Sequence, residues 1–206
     1  MKRLLFALAC SAWASLGYAQ SPEFIETGID SELYMSDAVY YPADGARAVV
    51  WVPGFIFNKE SWASMARALQ ERNVASLAIS GKVERNVRQA IRELVQRGYQ
   101  DIILVGASSG AAAVLNTMEQ VTAIDVVSGV VMLSPVRGNP MDDQTVRKLI
   151  IVSQDERAFD TVAAIYAGSM EPRELLTIPG AAHAQFLFFG PNSAEVTNAI
   201  IDFIVE

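Results

Sequence analysis

The sequence predicts an α/β fold, in which one mostly parallel sheet carries helices on both faces. Six short apolar runs recur along the chain, and segments with apolar residues at helical spacing lie between them. Runs that are apolar throughout indicate strands buried on both sides, which is typical of parallel sheets covered by helices. No long insertion interrupts this alternation in the sequence. We therefore expect a single domain without a large lid domain.

The predicted elements follow one another in a regular order. The strands are residues 48–52, 74–79, 102–105, 127–133, 149–152 and 175–178. Helices are expected after Asn58, over 83–95, from Ala111, over 159–167, and after a capping box formed by Asn192 and Glu195. Residues 23–47 differ, because they resemble two short strands with turns at Gly28 and at 42–45. This pattern predicts an antiparallel edge of the sheet.

The N-terminus has the pattern of a secretory signal peptide over residues 1–19. A short basic start precedes an apolar run at 4–16, and residues 17–19 place small side chains before a cleavage point. The run is short for a membrane span of about 20 residues, which disfavours the alternative of an uncleaved anchor. Cys10 leaves lipoprotein processing as a minor alternative. We expect export to the periplasm or the medium, and a mature domain over 20–206.

Composition disfavours several classes of function. The full chain has a formal net charge of −7, and the mature domain would have −9 because the predicted signal contains two basic residues and no acidic one. An acidic chain without a basic patch is a poor nucleic-acid binder. Cys10 is the single cysteine and His183 the single histidine, so we expect no disulfide, no metal site and no cofactor. No second hydrophobic span follows the signal, which predicts no stable membrane insertion after cleavage.

A Gly-x-Ser-x-Gly motif at residues 106–110 follows the predicted strand 102–105 and opens the helix that begins at Ala111. In this setting the central serine lies on a sharp strand-to-helix turn that exposes its Oγ above the sheet. The residues two before and two after the serine approach each other closely, which requires small side chains. Ser108 is therefore the candidate nucleophile. A plain glycine-rich turn is the alternative interpretation.

The motif and its setting resemble the nucleophile elbow of the α/β-hydrolase family. The chain order of Ser108, Asp155 and His183 also resembles that family's order of nucleophile, acid and base. The resemblance covers nearly the whole mature chain, and it is nearest to small lidless members such as the dienelactone-hydrolase-like and carboxylesterase-like groups. Dienelactone hydrolases have cysteine at the elbow, so Ser108 favours the esterase groups.

His183 and Asp155 are the candidate base and acid. A serine hydroxyl needs a base that titrates near neutral pH, and imidazole is the usual one. His183 follows the last predicted strand, where the resembled family carries its base. Asp155 comes three residues after the strand 149–152, on the loop where that family carries the acid that orients the imidazole. Glu156 and Asp160 are neighbouring substitutes for the acid.

The resemblance also implies two backbone N–H groups that hold an oxyanion. Ser109, directly after the nucleophile, is expected to provide one of them. The loop after the first long strand has Pro53-Gly54-Phe55 where the family often has His-Gly and then the donor, so Phe55 is expected to provide the other. Phe55, Trp62 and Phe186 are candidate residues for the lining of a substrate pocket.

The activity that these features predict is hydrolysis of a small-molecule carboxylic ester through an acyl-serine intermediate. Thioesterase, acyltransferase and peptidase activity would use the same three residues, and the sequence does not separate them. A non-catalytic binding protein of the same fold is a further alternative. The sequence indicates neither the natural substrate nor the oligomeric state.

Overall fold

The computed structural model describes residues 20–25, 37–120 and 125–206. The signal peptide predicted over residues 1–19 and the turn predicted at Gly28 lie outside this part of the chain. The strands are β1 (Glu23–Ile25), β2 (Ala38–Tyr41), β3 (Arg47–Val52), β4 (Ala75–Ile79), β5 (Asp101–Ala107), β6 (Val127–Leu133), β7 (Arg147–Ser153) and β8 (Arg173–Ile178). The α-helices are α1 (Ala63–Gln70), α2 (Glu84–Gln96), α3 (Ser109–Gln120), α4 (Phe159–Gly168) and α5 (Ser193–Val205), and 3₁₀ helices cover Lys59–Trp62 and Ala184–Phe189.

These strands form one sheet in the order β1-β2-β4-β3-β5-β6-β7-β8. All neighbours from β4 through β8 pair in parallel. At the other edge β1 pairs antiparallel with β2, and β2 pairs antiparallel with β4. The predicted parallel sheet with an antiparallel edge is therefore confirmed, and the six predicted strands agree with β3 to β8 within two residues at each end.

Helices cover both faces of the sheet. Helices α2, α3 and α4 contribute to the core on one face, whereas α1 and α5 contribute to the core on the other. Strand β3 shows how the sheet supplies both cores, since Ala48, Val50 and Val52 belong to the first and Val49 and Trp51 to the second. All five side chains are fully buried. Two-sided burial of this kind explains why the run 48–52 is apolar at every position.

The predicted helix caps are not formed. Asn192 does precede α5, but its side chain makes no capping hydrogen bond, and its φ of −97° and ψ of 13° differ from the extended backbone that a capping side chain needs. Asn58 precedes a 3₁₀ helix and makes no side-chain capping bond either. Helix α5 is held instead by its apolar face, because Val196, Ile200 and Ile204 are fully buried. No helix in the described ranges is long and apolar enough to cross a membrane.

The turn that carries Ser108 is a close contact between β3, β5 and α3. The φ angle of Ser108 is 51°, in the left-handed region that residues other than glycine rarely adopt. A Cβ atom on Gly106 would lie 2.6 Å from the Cα of Ala111, and one on Gly110 would lie 2.5 Å from the carbonyl oxygen of Pro53. Both obstacles are backbone atoms of packed elements, so the two glycines are needed for the helix to start directly above the sheet.

We expect Gly110→Ala to lower the free energy of unfolding by roughly 1–3 kcal/mol or more, because the added methyl group would overlap the backbone at the end of β3. Chemical denaturation of the purified protein measures this change. Gly190→Ala is the matched control, since its φ is −95° and no heavy atom of the described residues, other than those of Gly190 and its two chain neighbours, lies within 4 Å of its Cβ position. Equal losses of stability in the two variants would contradict the packing of this turn.

Candidate active site

Three side chains from three loops meet at the carboxyl edge of the sheet. The Nε2 atom of His183 lies 2.9 Å from the Oγ of Ser108, and its Nδ1 atom lies 2.6 Å from the Oε2 of Glu156. Ser108 follows β5, Glu156 follows β7 and His183 follows β8. The carboxyl ends of parallel strands open at the same edge, which is why residues so distant in sequence meet. An imidazole between a hydroxyl and a carboxylate can take the hydroxyl proton while the carboxylate stabilises the cation that results.

Asp155, predicted as the acid, does not contact His183. Its side chain is exposed, and its backbone N–H donates to the carbonyl oxygen of Gly180. The substitute Glu156 contacts the imidazole instead, and its side chain is only 2% exposed. Asp160, the other substitute, is exposed in the first turn of α4. The partner of His183 is therefore corrected from Asp155 to Glu156.

The end of β7 explains this correction. The apolar pattern predicts that the strand ends at residue 152 because Ser153 is polar, but β7 continues through Ser153. Counted from the observed end, the third residue is Glu156, so the expected spacing holds while the residue changes. To choose between the adjacent carboxylates of Asp155 and Glu156, one must know at which residue the strand ends. The apolar pattern of the sequence does not define that residue.

A buried serine holds the Glu156 carboxylate in place. Ser134 follows β6 and is fully buried, and its hydroxyl donates to the Oε1 of Glu156 at 2.6 Å. The same oxygen accepts the backbone N–H of Ser153 at 2.9 Å. With His183 on Oε2, both oxygens of this carboxylate have hydrogen-bonding partners. A buried carboxylate needs such partners to remain charged.

The histidine loop is tied to the same two serines. The Oγ of Ser134 accepts the backbone N–H of Ala184 at 3.0 Å, and the hydroxyl of Ser153 donates to the carbonyl oxygen of Ala182 at 2.6 Å. The residues on either side of His183 are thus fixed to the ends of β6 and β7. Sequence analysis missed Ser134, because no local motif marks a serine that acts on residues 22 and 50 positions away.

The loop after β3 lies over the nucleophile. A Cβ atom on Gly54 would lie 3.4 Å from the Cβ of Ser108. The backbone N–H of Gly54 donates to the Oε1 of Gln185 at 2.7 Å, and the Nε2 of Gln185 donates to the Oγ of Ser61 at 2.6 Å. Gln185 is buried and follows His183 by two residues. It therefore connects the loop after β3 to the histidine loop, a role that the sequence did not indicate.

Two backbone donors lie beside the nucleophile. In the described part of the chain the N–H groups of Phe55 and Ser109 have no hydrogen-bond acceptor. Phe55 shares a cavity with Ser108, and Ser109 is the first residue of α3. Unpaired N–H groups at a helix N-terminus and in an adjacent loop are suited to bind a negatively charged oxygen. The N–H of Gly54 is occupied by Gln185 and is therefore not available to an oxyanion.

Two cavities adjoin His183. The aromatic cavity, of about 160 Å³, also contacts Ser108 and is lined by Phe55, Ile56, Phe57 and Phe186. The second cavity, of about 640 Å³, is lined by Asp155, Arg157 and Thr161 together with the apolar Val136, Ala158 and Ala181; we call it the polar cavity after its two exposed charged side chains. The volume of the polar cavity lies within the range of roughly 300–1,000 Å³ that is typical of small-molecule sites, whereas the volume of the aromatic cavity is about half of the lower limit.

The predicted pocket residues separate into two groups. Phe55 and Phe186 line the aromatic cavity, as the sequence suggests. Trp62 does not, because it is fully buried in the core and its ring packs on that of Trp51 at a centroid distance of 4.9 Å. Its place on the apolar face of the segment that enters α1 accounts for this burial.

Comparison with solved structures identifies the fold. No family model matches the sequence, and no curated protein matches it. The structure is similar to that of a dienelactone hydrolase from Anabaena variabilis, with a TM-score of 0.71 and 15% identity over 89% of this chain and 97% of that chain. An esterase domain from Rhodothermus marinus is similar with a TM-score of 0.68 and 15% identity, over 90% of this chain and 98% of that chain. A monoacylglycerol lipase from Paleococcus ferrophilus is similar with a TM-score of 0.69 and 12% identity, over 82% of this chain and 97% of that chain. The chain has the α/β-hydrolase fold. The fold that the elbow motif implies is confirmed, and the residues that the structure describes contain no large lid domain.

In this α/β-hydrolase fold, Glu156→Gln should lower kcat for a p-nitrophenyl ester by about 10³- to 10⁴-fold, since an amide neither fixes the imidazole tautomer nor stabilises the imidazolium. Asp155→Asn makes the same chemical change at the neighbouring residue and should lower kcat by less than about tenfold, because its side chain does not contact His183. Steady-state kinetics of both variants measure the difference. Loss of activity in the Asp155 variant with retention in the Glu156 variant would contradict the observed geometry.

Ser134→Ala should lower kcat by roughly 10- to 100-fold with little change in KM, because Glu156 and the N–H of Ala184 would each lose a buried partner worth about 1–3 kcal/mol. Ser134→Gly should lower kcat by the same factor, although glycine also relieves the backbone strain that the φ angle of 46° imposes at this position. Activity retained in the glycine variant would show that strain, and not the hydroxyl, matters. His183 is the single histidine, so the proton resonance of its Nδ1–H can be followed without ambiguity and should shift in both variants.

Proposed function

We propose that this protein is a serine hydrolase that cleaves small-molecule carboxylic esters through an acyl-serine intermediate. The placement of His183 within hydrogen-bonding distance of both Ser108 and Glu156 is the observation that carries this proposal. Similarity of fold to proteins described as an esterase domain, a monoacylglycerol lipase and a dienelactone hydrolase supports an ester as the bond that is cleaved. A fold alone does not define an activity, so the side chains carry more weight than the similarity.

Acylation begins with attack of the Ser108 Oγ on the ester carbonyl carbon. The Nε2 of His183 takes the hydroxyl proton as the bond forms, and Glu156 stabilises the imidazolium through Nδ1. The carbonyl oxygen becomes an oxyanion, which accepts hydrogen bonds from the N–H groups of Phe55 and Ser109. His183 then gives its proton to the alcohol oxygen. The ester C–O bond breaks, the alcohol leaves, and the acyl group stays on Ser108.

Deacylation repeats these steps with water. His183 takes a proton from a water molecule that attacks the acyl carbon, and the proton returns to the Oγ of Ser108 when the carboxylic acid leaves. The side chain of His183 is 38% exposed, so water reaches it from the solvent side. The buried Glu156 needs no such access, since it exchanges no proton with the substrate. The division of burial between these two side chains suits their separate roles.

Ser108→Ala should reduce turnover of a short-chain p-nitrophenyl ester to the level of the buffer, because no other group can form the acyl intermediate. Turnover by the wild type together with loss in the variant supports the proposal. Ser128→Ala, at the amino end of β6 and therefore at the opposite edge of the sheet from Ser108, is the control and should retain activity. Undiminished turnover by the Ser108 variant would contradict the proposal.

We also propose that the protein is exported, on the basis of the N-terminal pattern in residues 1–19. Export predicts that protein recovered from its native host begins at Gln20. Recovery of a chain that still begins at Met1 from the cytosolic fraction would contradict export without affecting the proposed chemistry.

A further inference from the structure

The aromatic and polar cavities differ in which reacting groups they contact. Ser108 lines the aromatic cavity and His183 lines both. In the proposed hydrolysis, on which this inference rests, the acyl group becomes bonded to Ser108, whereas the alcohol receives a proton from His183. The acyl half of the ester therefore belongs in the cavity that Ser108 lines. The alcohol half belongs in the cavity that contacts His183 but not Ser108.

The walls of the aromatic cavity define the acyl group that fits. Phe57 and Phe186 pack edge to face at a centroid distance of 5.3 Å, while Phe55 is 80% and Ile56 71% exposed. Large apolar side chains exposed beside a nucleophile are covered favourably by an apolar group. A cavity of about 150 Å³ lined by apolar side chains holds a molecule of the size of benzene. The 160 Å³ of the aromatic cavity therefore suits an aliphatic chain of about six carbons or one aromatic ring.

The walls of the polar cavity combine charged and hydroxyl side chains with apolar ones, unlike the walls of the aromatic cavity. Asp155 and Arg157 are both exposed there, and Thr161 adds a hydroxyl. Among the described residues neither charged side chain has an ion-pair partner. A charged alcohol would meet a like charge as well as an opposite one. A neutral alcohol with several hydroxyls can donate to Asp155 and accept from Arg157 without that conflict.

We propose that the substrate is an ester of a short apolar acid with a neutral polyhydroxy alcohol, the acid in the aromatic cavity and the alcohol in the polar cavity. The alcohol has left when deacylation begins, so the rate of deacylation reports on the acyl half alone. Side chains of the aromatic cavity should therefore affect acylation and deacylation. Side chains of the polar cavity should affect acylation alone.

The acyl assignment is tested with p-nitrophenyl esters of increasing chain length. For the wild type, kcat/KM should rise about fourfold with each methylene group up to about six carbons, and then level off. Phe186→Ala should move the optimum to longer chains and change the deacylation rate, whereas Phe186→Trp should move it to shorter chains. Phe189→Ala is the matched control on the same 3₁₀ helix and should leave the optimum unchanged, since Phe189 is 76% exposed and does not line the cavity. Because its ring lies 6.5 Å from that of Phe186, this variant also measures any effect transmitted through Phe186. An unchanged optimum in both Phe186 variants would overturn the assignment.

The alcohol assignment is tested by comparing glyceryl monobutyrate with butyl butyrate, which share one acyl group. The wild type should prefer the glyceryl ester by kcat/KM. Thr161→Val removes a hydroxyl at constant shape and should reduce this preference roughly three- to tenfold, by the loss of one hydrogen bond, with the deacylation rate unchanged. A preference for butyl butyrate, or a changed deacylation rate in the Thr161 variant, would overturn the assignment.

Failure of this inference differs from failure of the proposed function. A wild-type protein that hydrolyses none of these esters, and that a fluorophosphonate probe does not label, would contradict the proposed function itself. The proposed function would stand if hydrolysis depends on Ser108. If the Thr161 variant then moves the chain-length optimum and the Phe186 variants change the preference for the glyceryl ester, the acyl group would be assigned to the polar cavity and the alcohol to the aromatic cavity.

Discussion

The hydrogen bonds around the Glu156 carboxylate determine the geometry of the site. Its Oε1 accepts from the hydroxyl of Ser134 and the backbone N–H of Ser153, and its Oε2 lies against the imidazole of His183. A carboxyl group that is only 2% exposed needs hydrogen-bonding partners for both oxygens, because a buried polar atom without a partner costs free energy. These donors come from the ends of β6 and β7 and from the loop after β8, so one buried group joins three parts of the sheet edge. The imidazole is therefore oriented by the sheet and not by its own loop alone.

The chain of hydrogen bonds from Ser108 through His183 and Glu156 to Ser134 has a residue with strained backbone at each end. Ser108 has a φ of 51° and Ser134 a φ of 46°, conformations that cost free energy and persist only where surrounding packing enforces them. The N–H of Ser108 donates to the carbonyl oxygen of Leu133, and its own carbonyl oxygen accepts the N–H of Ala112. Because Leu133 directly precedes Ser134, the two strained residues are coupled through the end of β6. Stability of this part of the sheet and alignment of the reacting groups thus depend on the same contacts.

The sequence predicts those features that local patterns encode. The middle residues of β3 to β7 are mostly apolar because both faces of these strands are covered, whereas the edge strand β8 is only partly buried. Gly106 and Gly110 flank Ser108 because backbone atoms leave no room for a Cβ. The rest depends on distant contacts. Gln185 contacts Gly54, which lies 131 residues away in the sequence. Glu156 replaces Asp155 because β7 ends one residue later than its apolar run. Trp62 fits a core face and a pocket wall equally well in the sequence, and only its packing on Trp51 distinguishes the two.

The central claim is that Ser108 forms a covalent acyl intermediate with His183 as its base. Rapid mixing with p-nitrophenyl butyrate, acid quenching and peptide mapping by mass spectrometry test it most directly, since an acyl-serine ester survives acid. The account predicts one butanoyl group on the peptide that contains Ser108, attached at Ser108 and absent from the Ser108→Ala variant. Attachment at another residue, or ester turnover by a wild-type protein that never carries the acyl group under conditions where deacylation limits the rate, would contradict it.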